Sequence, residues 1–273
     1  MTSDPLPDPL PGPVRAAWES ELGSGGRRPR RPELSLRRIV DAAVVLADRD
    51  GLAGISMAKV AAEIGCATMA LYRHVPSKTD LLQHMFDAGL SAPPRDRTPP
   101  GTGWRDGLAT WTRASLQVFV GRPWLLEIPI TGPPLMPRNL DWMDWAMGLL
   151  EGTAFAPWEK LYTLLLLNGH ARHEAALAVS IGTTPGEPAD PEAGEQAAAD
   201  YTSALVALAD PGRFPALHDF VSTGSLFDLP PDVDPERADD FLRDFGLERI
   251  LDGLQALLDS RGAPGPGDPV SPR

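Results

Sequence analysis

A chain of 273 residues, 42% of them hydrophobic, is long enough to bury one large or two modest cores. Its single cysteine, Cys66, excludes an intramolecular disulfide, and the N-terminus lacks the pattern of a secretory signal, so we expect a reducing, cytoplasmic environment. The longest apolar runs, such as Leu164 to Leu167, are far shorter than the ~20 residues that a membrane span requires, which excludes a membrane-embedded protein.

The formal net charge of −12 argues against a nucleic-acid partner, because phosphates attract clustered Lys and Arg. This charge is, however, unevenly distributed. Residues 27–80 carry ten Lys or Arg against six Asp or Glu, whereas residues 81–273 carry fourteen against twenty-seven. The asymmetry permits a small basic contact module attached to an acidic body, although it specifies no partner.

Residues 1–33 contain many prolines and the glycine-rich run Gly23 to Gly26, which predict a flexible arm. The run does not indicate a nucleotide-binding loop, because no strand precedes it and prolines surround it. Two interpretations of the end of the arm stay open: contact with DNA phosphates or a minor groove, or a solvated basic run. The arginines concerned are Arg27, Arg28, Arg30 and Arg31.

Residues 34–90 show the pattern of several short helices. Apolar residues at three- and four-residue steps predict a first helix from Leu36 to a stop signal at Gly51. Val75 and Pro76 interrupt the helical pattern later on, and a capping box at Ser77 then opens the last helix of this region.

Between these two helices the pattern is helix, glycine turn, helix. The Ser56 hydroxyl is placed to cap the first of the pair, Gly65 permits a sharp turn, and the second runs from Thr68 to His74. This is the arrangement of a helix-turn-helix, in which the second helix enters the major groove of DNA and the first crosses the backbone. The sequence therefore predicts a DNA-binding module here.

Four segments of this region, in order, carry a family resemblance. Ile39–Ala43, Gly51–Met57, Val60–Gly65 and Leu71–Lys78 together resemble the DNA-binding domain of the TetR family of transcriptional regulators. A lone glycine turn would be weak support, whereas this ordered run without a gap is specific. We therefore expect a regulator that binds double-stranded operator DNA.

The resemblance implies two groups of DNA contacts. Hydroxyl, phenol and ammonium groups suit phosphate oxygens, whereas the helix in the groove reads base edges. The alternative is structural: Tyr72 partly in the core, His74 as a helix cap and Met69 as a gap filler. The resemblance assigns phosphate contact to Ser56, Tyr72, His74 and Lys78, and base contact to Thr68, Met69, Ala70 and Arg73.

A helical body follows the prolines and glycines of residues 91–103. No segment alternates as a strand, so we predict an all-α fold. It consists of an N-terminal three-helix helix-turn-helix domain over residues 34–90 and a larger helical ligand-binding and dimerisation domain over 91–261. Residues 183–195 are predicted as a mobile loop and 262–273 as a disordered tail. The predicted helices of the body are 104–121, a short one after Pro123, 138–151, 157–181, 192–209, 215–222 and 236–260.

Six of the seven tryptophans lie in this body. The helix around Trp142 and Trp145 is apolar on most faces, which indicates burial, and Trp and Met also line adaptable pockets for flat ligands. From the family resemblance we expect a small-molecule effector there. The spacing of the residues indicates no cofactor and no metal site, and whether a metal accompanies the effector stays open. The residues expected at the effector are Trp111, Trp124, Met136, Trp142, Trp145, His170 and His173.

The last long helix carries an apolar stripe that is too wide for a lone surface helix. The segment Phe245 to Leu254 also resembles the C-terminal helix of the TetR subgroup whose effector domain is like that of the tetracycline repressor. We expect this helix and helix 157–181 to form a four-helix interface in a homodimer. Such a dimer places two recognition helices about 34 to 36 Å apart, which matches a palindromic operator.

A competing interpretation concerns His170, His173 and Glu174, whose spacing on one helix is compatible with a metal or with acid and base chemistry. Their order is not the His-Glu-x-x-His of zinc proteases, so a polar position in the effector pocket or the dimer seam is favoured. We predict a repressor that a small molecule releases from its operator, and not an enzyme. The alternative is an all-helical enzyme or small-molecule scavenger in which the helix-turn-helix only packs.

Overall fold

The computed structural model describes residue 6 and residues 10–23, 34–130, 132–180, 191–222 and 238–262. Every regular element within these ranges is a helix, which confirms the predicted all-α class. No helix among them is long and apolar enough to cross a bilayer. The α-helices are α1 (Gly12–Gly23), α2 (Leu36–Asp50), α3 (Met57–Ile64), α4 (Thr68–Leu71), α5 (Lys78–Gly89), α6 (Trp104–Gly121), α7 (Trp124–Glu127), α8 (Pro137–Leu149), α9 (Pro157–Ser180), α10 (Pro191–Leu208), α11 (Pro215–Ser222) and α12 (Ala238–Gly262).

Helices α2 to α5 form a small head with its own apolar centre. Serine side chains cap three of these helices: the hydroxyls of Ser35, Ser56 and Ser77 each accept the backbone N–H three residues later. The inward faces of the four helices pack together in an apolar core. Its completely buried members include Ile39, Val60, Leu71, Val75, Leu81 and Met85.

Helix α1 corrects the prediction that residues 1–33 form a flexible arm throughout, which is wrong for Gly12–Gly23. This helix packs against α2, α5 and α8, Val14 is buried, and the Trp18 indole N–H donates to the Leu135 carbonyl at 2.9 Å. The sequence pattern missed it because the segment is weakly amphipathic and takes its stability from these tertiary contacts. The arginine cluster at 27–31 lies outside the described residues.

Helices α6, α8, α9 and α12 make up the body. The central pair is α6 and α9, and α12 packs on both of them. Ion pairs fix α12 to α6, since Arg105 contacts Glu248 and Asp252 at 2.6 Å each. The fully buried leucines of this core are Leu108, Leu125, Leu150, Leu167 and Leu251.

The predicted mobile loop at 183–195 is wrong for its last five residues, because α10 begins at Pro191. Proline is favoured at the first helical position, where its missing N–H has no intrahelical partner to lose. Residues 183–190 and the predicted tail after Gly262 lie outside the described residues.

The helix that connects the head to the body, α5, carries a buried histidine. His84 is 6% exposed, and burial lowers its pKa to about 4, although Asp80 nearby acts in the opposite direction. A neutral imidazole is therefore part of the folded core at physiological pH.

We predict that this imidazole makes stability depend on pH. The unfolded chain takes up a proton at His84 near the ordinary pKa of about 6.5, whereas the folded chain does so only near pH 4. The free energy of unfolding should therefore fall as the pH drops from about 6.5 to about 4, by up to roughly 3 kcal/mol from this group. Urea unfolding across this range should show a flatter dependence in His84→Gln than in the wild type.

The control is the same change at an exposed position, His74→Gln. Identical pH slopes for the wild type and His84→Gln would show that the buried imidazole does not contribute.

Candidate functional site

The turn between α3 and α4 has the geometry that a helix-turn-helix requires. Gly65 adopts the left-handed conformation, with φ 77° and ψ 40°, which favours glycine because it has no Cβ. Its N–H donates to the carbonyls of Ala61 and Ala62, and the Cys66 N–H donates to Ala61 at 2.9 Å. These bonds end α3 and redirect the chain into α4.

Helix α4 is shorter than the predicted Thr68 to His74, because the α-helix ends at Leu71. The chain continues in tight turns, in which the N–H groups of His74 and Val75 both donate to the Leu71 carbonyl at 2.9 Å. Pro76 has no N–H to continue this pattern. Since Leu71 and Val75 are completely buried, the short helix is nevertheless fixed to the head.

Much of the surface of α4 and the following turn is exposed. Met69 is 74% exposed and Tyr72 is 42% exposed. Met69 therefore does not fill a gap in the core, whereas more than half of the Tyr72 surface is covered, as in the alternative that places this residue partly in the core. Of the eight residues predicted to contact DNA, Met69, Tyr72, Arg73, His74 and Lys78 are exposed, whereas Ser56, Thr68 and Ala70 are half-buried.

Two carboxylates of the head hold the body. The first is Asp48 on α2, whose oxygens accept from the Arg122 guanidinium at 3.1 and 3.3 Å and from the Trp124 indole N–H at 2.7 Å. Arg122 also donates to the Gly89 carbonyl at the end of α5, at 2.9 Å. One cluster thus joins the ends of α2 and α5 to the segment between α6 and α7.

The second carboxylate is Asp87 on α5. It accepts the backbone N–H groups of Arg138 and Asn139, at 3.3 and 3.0 Å, and the Asn139 side-chain N–H at 3.1 Å. Asp87 therefore caps the N-terminus of α8 from a different helix. Burial raises the pKa of the Asp87 carboxyl, while these hydrogen bonds act to lower it.

An apolar cavity of about 120 Å³ lies between α5, α6, α8 and α9. Trp111 and Trp142 form part of its wall, with their rings in an edge-to-face contact at 6.2 Å, and the Trp111 N–H donates to the Trp142 carbonyl at 3.0 Å. Three neutral polar side chains, those of Ser115, Asn139 and Asn168, also line it and are of the kind that orients a bound ligand. The lining residues are Phe86, Leu90, Trp111, Ser115, Val118, Phe119, Pro134, Asn139, Trp142, Met143, Leu161, Leu164, Leu165 and Asn168.

A larger cleft of about 840 Å³ lies at the junction of head and body, and Asp48, Arg122 and Trp124 form part of its wall. The side chains of Val118 and Trp142 line both the cleft and the cavity. We take the smaller cavity as the candidate effector site, because its lining is mainly apolar and includes the paired tryptophans. Val118 and Trp142 thus separate the cavity from the cleft.

The structure brings only part of the predicted effector set to this cavity. Trp111 and Trp142 line it, and Trp124 lines the cleft instead. Trp145 is buried with its N–H on the Thr98 hydroxyl, and Met136 is buried at the start of α8, so both are core residues away from the two spaces. Periodicity identified the buried aromatic residues but not which wall they face.

The two histidines lie elsewhere on α9. The His170 ring packs on Gly246 of α12, where an added Cβ would lie 2.8 Å from the imidazole Cε1. His173 is exposed, and neither residue lines the cavity or the cleft. Neither histidine therefore lines the candidate effector site, and a position in the dimer seam stays a prediction for them. Among the described residues no group of three or more His, Cys, Asp or Glu is placed to hold a metal ion.

Comparison with known proteins decides the family. The N-terminal region, residues 39–85, matches the model of bacterial regulatory proteins of the tetR family, and residues 98–258 match the tetracyclin repressor-like C-terminal domain. The chain belongs to the TetR family. The matched ranges lie within the predicted domains 34–90 and 91–261, and this TetR-family chain is a helix-turn-helix transcriptional regulator.

Similar proteins are known in sequence and in structure. The HTH-type transcriptional repressor DrrR1 of Streptomyces coeruleorubidus is 33% identical over 251 residues, which cover 88% of this chain and 85% of that protein. The TetR family protein ActR of Streptomyces coelicolor has been solved with actinorhodin and with (S)-DNPA. The actinorhodin complex is 26% identical with a TM-score of 0.63 and covers 82% of this chain and 98% of ActR, and the (S)-DNPA complex is 25% identical with a TM-score of 0.62 and covers 83% and 99%.

We predict that the Asp48 cluster stabilises this TetR-family fold. Asp48→Ala leaves the Trp124 N–H without its acceptor and removes the partner of Arg122, so the free energy of unfolding should fall by about 1–3 kcal/mol. Urea unfolding followed by circular dichroism measures this change. Asp41→Ala on the same helix is the control, because Asp41 is exposed and forms only a long 3.9 Å pair with Arg37. An equal effect of the two variants would contradict the assignment.

Proposed function

We propose that this regulator is a repressor that binds a palindromic operator as a homodimer and leaves it when a small aromatic effector occupies the cavity of the body. Two relatives support this proposal: DrrR1 is a repressor, and ActR binds actinorhodin and (S)-DNPA in its solved complexes. The observation that carries the proposal is the exposed surface formed by α4 and the turn that follows it, which the buried Leu71 and Val75 hold in place.

The DNA contacts follow from this surface. Tyr72 and Lys78 are both exposed and carry an O–H and an ammonium group, which suit phosphate oxygens. Arg73 is exposed and is the only bidentate donor assigned to bases, so it supplies direct readout of guanine. We further propose that Ser56, His74, Thr68, Met69 and Ala70 complete the interface.

The homodimer is proposed from the outer face of α9. Tyr162 and Leu166 are 64% and 51% exposed, and Leu177 continues the same face about three turns after Leu166 at 47%. Phe245 on the neighbouring α12 is 57% exposed. An apolar stripe that runs along two adjacent long helices is typical of a protein interface. A second copy of the chain that packs there would form a four-helix seam.

Release of the operator is proposed to run through α8 and α5. A ligand larger than the present cavity has to displace Val118 or Trp142 towards the cleft. It also meets Asn139, whose side chain lines the cavity and donates to Asp87. Movement of α8 is thereby transmitted to α5 and to the orientation of α4. The effector must bind this second arrangement more tightly than the first.

Gel-shift assays on the DNA upstream of the chain's own gene test the proposal. We expect a shifted complex at low salt, and we expect Lys78→Ala to weaken it on the order of tenfold and to reduce the salt dependence by about one charge for each head, because a phosphate contact is lost. Tyr72→Phe removes one hydrogen bond and should cost about fivefold. Arg73→Ala should relax sequence preference at one position of each half-site.

Lys160→Ala, on α9 of the body, is the matched control and should bind like the wild type. Absence of a shifted complex at low salt would contradict the proposed function. Normal operator binding by a Tyr72→Ala and Lys78→Ala double variant would contradict the assignment of these two residues to DNA contact, but not the proposed function.

A further inference from the structure

Arg172 on α9 is half-buried, and its guanidinium lies against aromatic rings of the body. Its guanidinium carbon lies 4.9 Å from the centroid of the Phe119 ring and 5.9 Å from that of the Phe86 ring. One terminal nitrogen, Nη2, donates a long hydrogen bond of 3.4 Å to the Leu126 carbonyl. The other, Nη1, is buried and has no hydrogen-bond partner among the described residues.

The positive charge of this guanidinium also lacks a carboxylate partner among the described residues. Burial lowers the pKa of Arg172, and within the part of the chain that the structure describes no carboxylate pairs with it to oppose that effect. Arginine nevertheless stays protonated in proteins, so a positive charge remains inside. A buried donor without an acceptor and a buried charge without a partner both reduce stability. A buried donor without an acceptor therefore marks a candidate functional site.

The surroundings of Arg172 connect it to the effector cavity. Phe86 and Phe119, the two rings against the guanidinium, also line the cavity. Asn168 lines it too and lies one helical turn before Arg172 on the same side of α9. None of the residues that line the cavity is charged. Arg172 thus places a positive charge directly behind a neutral wall.

We propose that Arg172 is an anion-binding residue of the effector site, and that the effector is an aromatic compound with an ionised acid group such as a carboxylate. The inference rests on the proposed function, because it assigns the ligand class of that same cavity. The ring system occupies the apolar space beside Trp111 and Trp142. The acid group passes between the rings of Phe86 and Phe119 and accepts a hydrogen bond from Nη1.

This arrangement satisfies both unmet requirements at once. The carboxylate supplies the acceptor that Nη1 lacks and neutralises the buried charge. Charge-assisted hydrogen bonds of this kind are about twice as strong as neutral ones. The neutral polar groups Ser115, Asn139 and Asn168 are left to orient the uncharged part of the ligand.

The test uses benzoate, naphthoate and anthraquinone carboxylate, each paired with its uncharged amide. Binding to the full-length protein is followed by quenching of tryptophan fluorescence, since Trp111 and Trp142 line the cavity. We expect at least one acid to bind about tenfold or more tightly than its amide. Arg172→Met keeps the aliphatic stem and removes the charge, so it should lose this preference while it binds the amide as before.

Arg213→Met is the matched control, because Arg213 is exposed in the turn between α10 and α11. It should keep the preference for the acid. The melting temperature of unliganded Arg172→Met should be unchanged or raised, since the variant removes an unpaired buried charge. A lowered melting temperature with equal weakening of acid and amide would show that Arg172 only supports the fold, and would overturn the proposal.

Failure to bind any of the three acids, equal binding of acid and amide, or a preference retained in Arg172→Met would overturn it as well. Gel shifts on the same samples separate this inference from the proposed function. Release of operator DNA by an uncharged compound leaves the repressor in place and contradicts the anionic effector. Absence of operator binding by the unliganded protein contradicts the repressor, while the fluorescence titration still decides the ligand class.

Discussion

The orientation of the DNA-binding head depends on two carboxylates. Asp48 accepts from Arg122 and Trp124, and Asp87 accepts from the first turn of α8. Each carboxylate lies on a helix of the head and each of its partners lies in the body. Since hydrogen bonds to charged groups are strong and directional, these two clusters define how α4 points relative to α9. In the proposed mechanism, the signal from the body to the DNA changes at least one of them.

The position of the cavity explains how such a change arises. Its wall contains Asn139, which is bonded to Asp87, and Trp142, which also borders the cleft beside Asp48. In the proposed mechanism, a ligand in the cavity acts on both clusters, through Asn139 and Trp142. The buried Arg172 adds a polar end to a space that is otherwise neutral. In the proposed mechanism, an effector that engages Arg172 is held in one orientation, with its bulk towards α8.

The sequence predicted the head well because its signals are local. Serine caps, the glycine turn at Gly65 and the apolar steps of α2 and α3 act within a few residues of one another. The cavity depends on contacts between distant helices, so periodicity showed that Trp142 and Trp145 are buried but not that only Trp142 faces the ligand space. Arg172 gave no signal, because an arginine on a helix is ordinarily solvated. Helix α1 was missed because its stability depends on contacts that are distant in the sequence. Its Trp18 donates to the carbonyl of Leu135, which lies 117 residues away.

The central claim is that two heads are held one turn of DNA apart and move when the body binds its effector. The single cysteine of the chain, Cys66, lies in the turn before α4 and is partly exposed, so a nitroxide attached to it reports the position of each head. Pulsed electron paramagnetic resonance on the labelled protein with operator DNA should give one narrow distance distribution near one helical turn, about 34 to 36 Å. A bound effector should shift or broaden it. The absence of a dipolar signal, or a distribution that neither DNA nor ligand alters, would contradict the account.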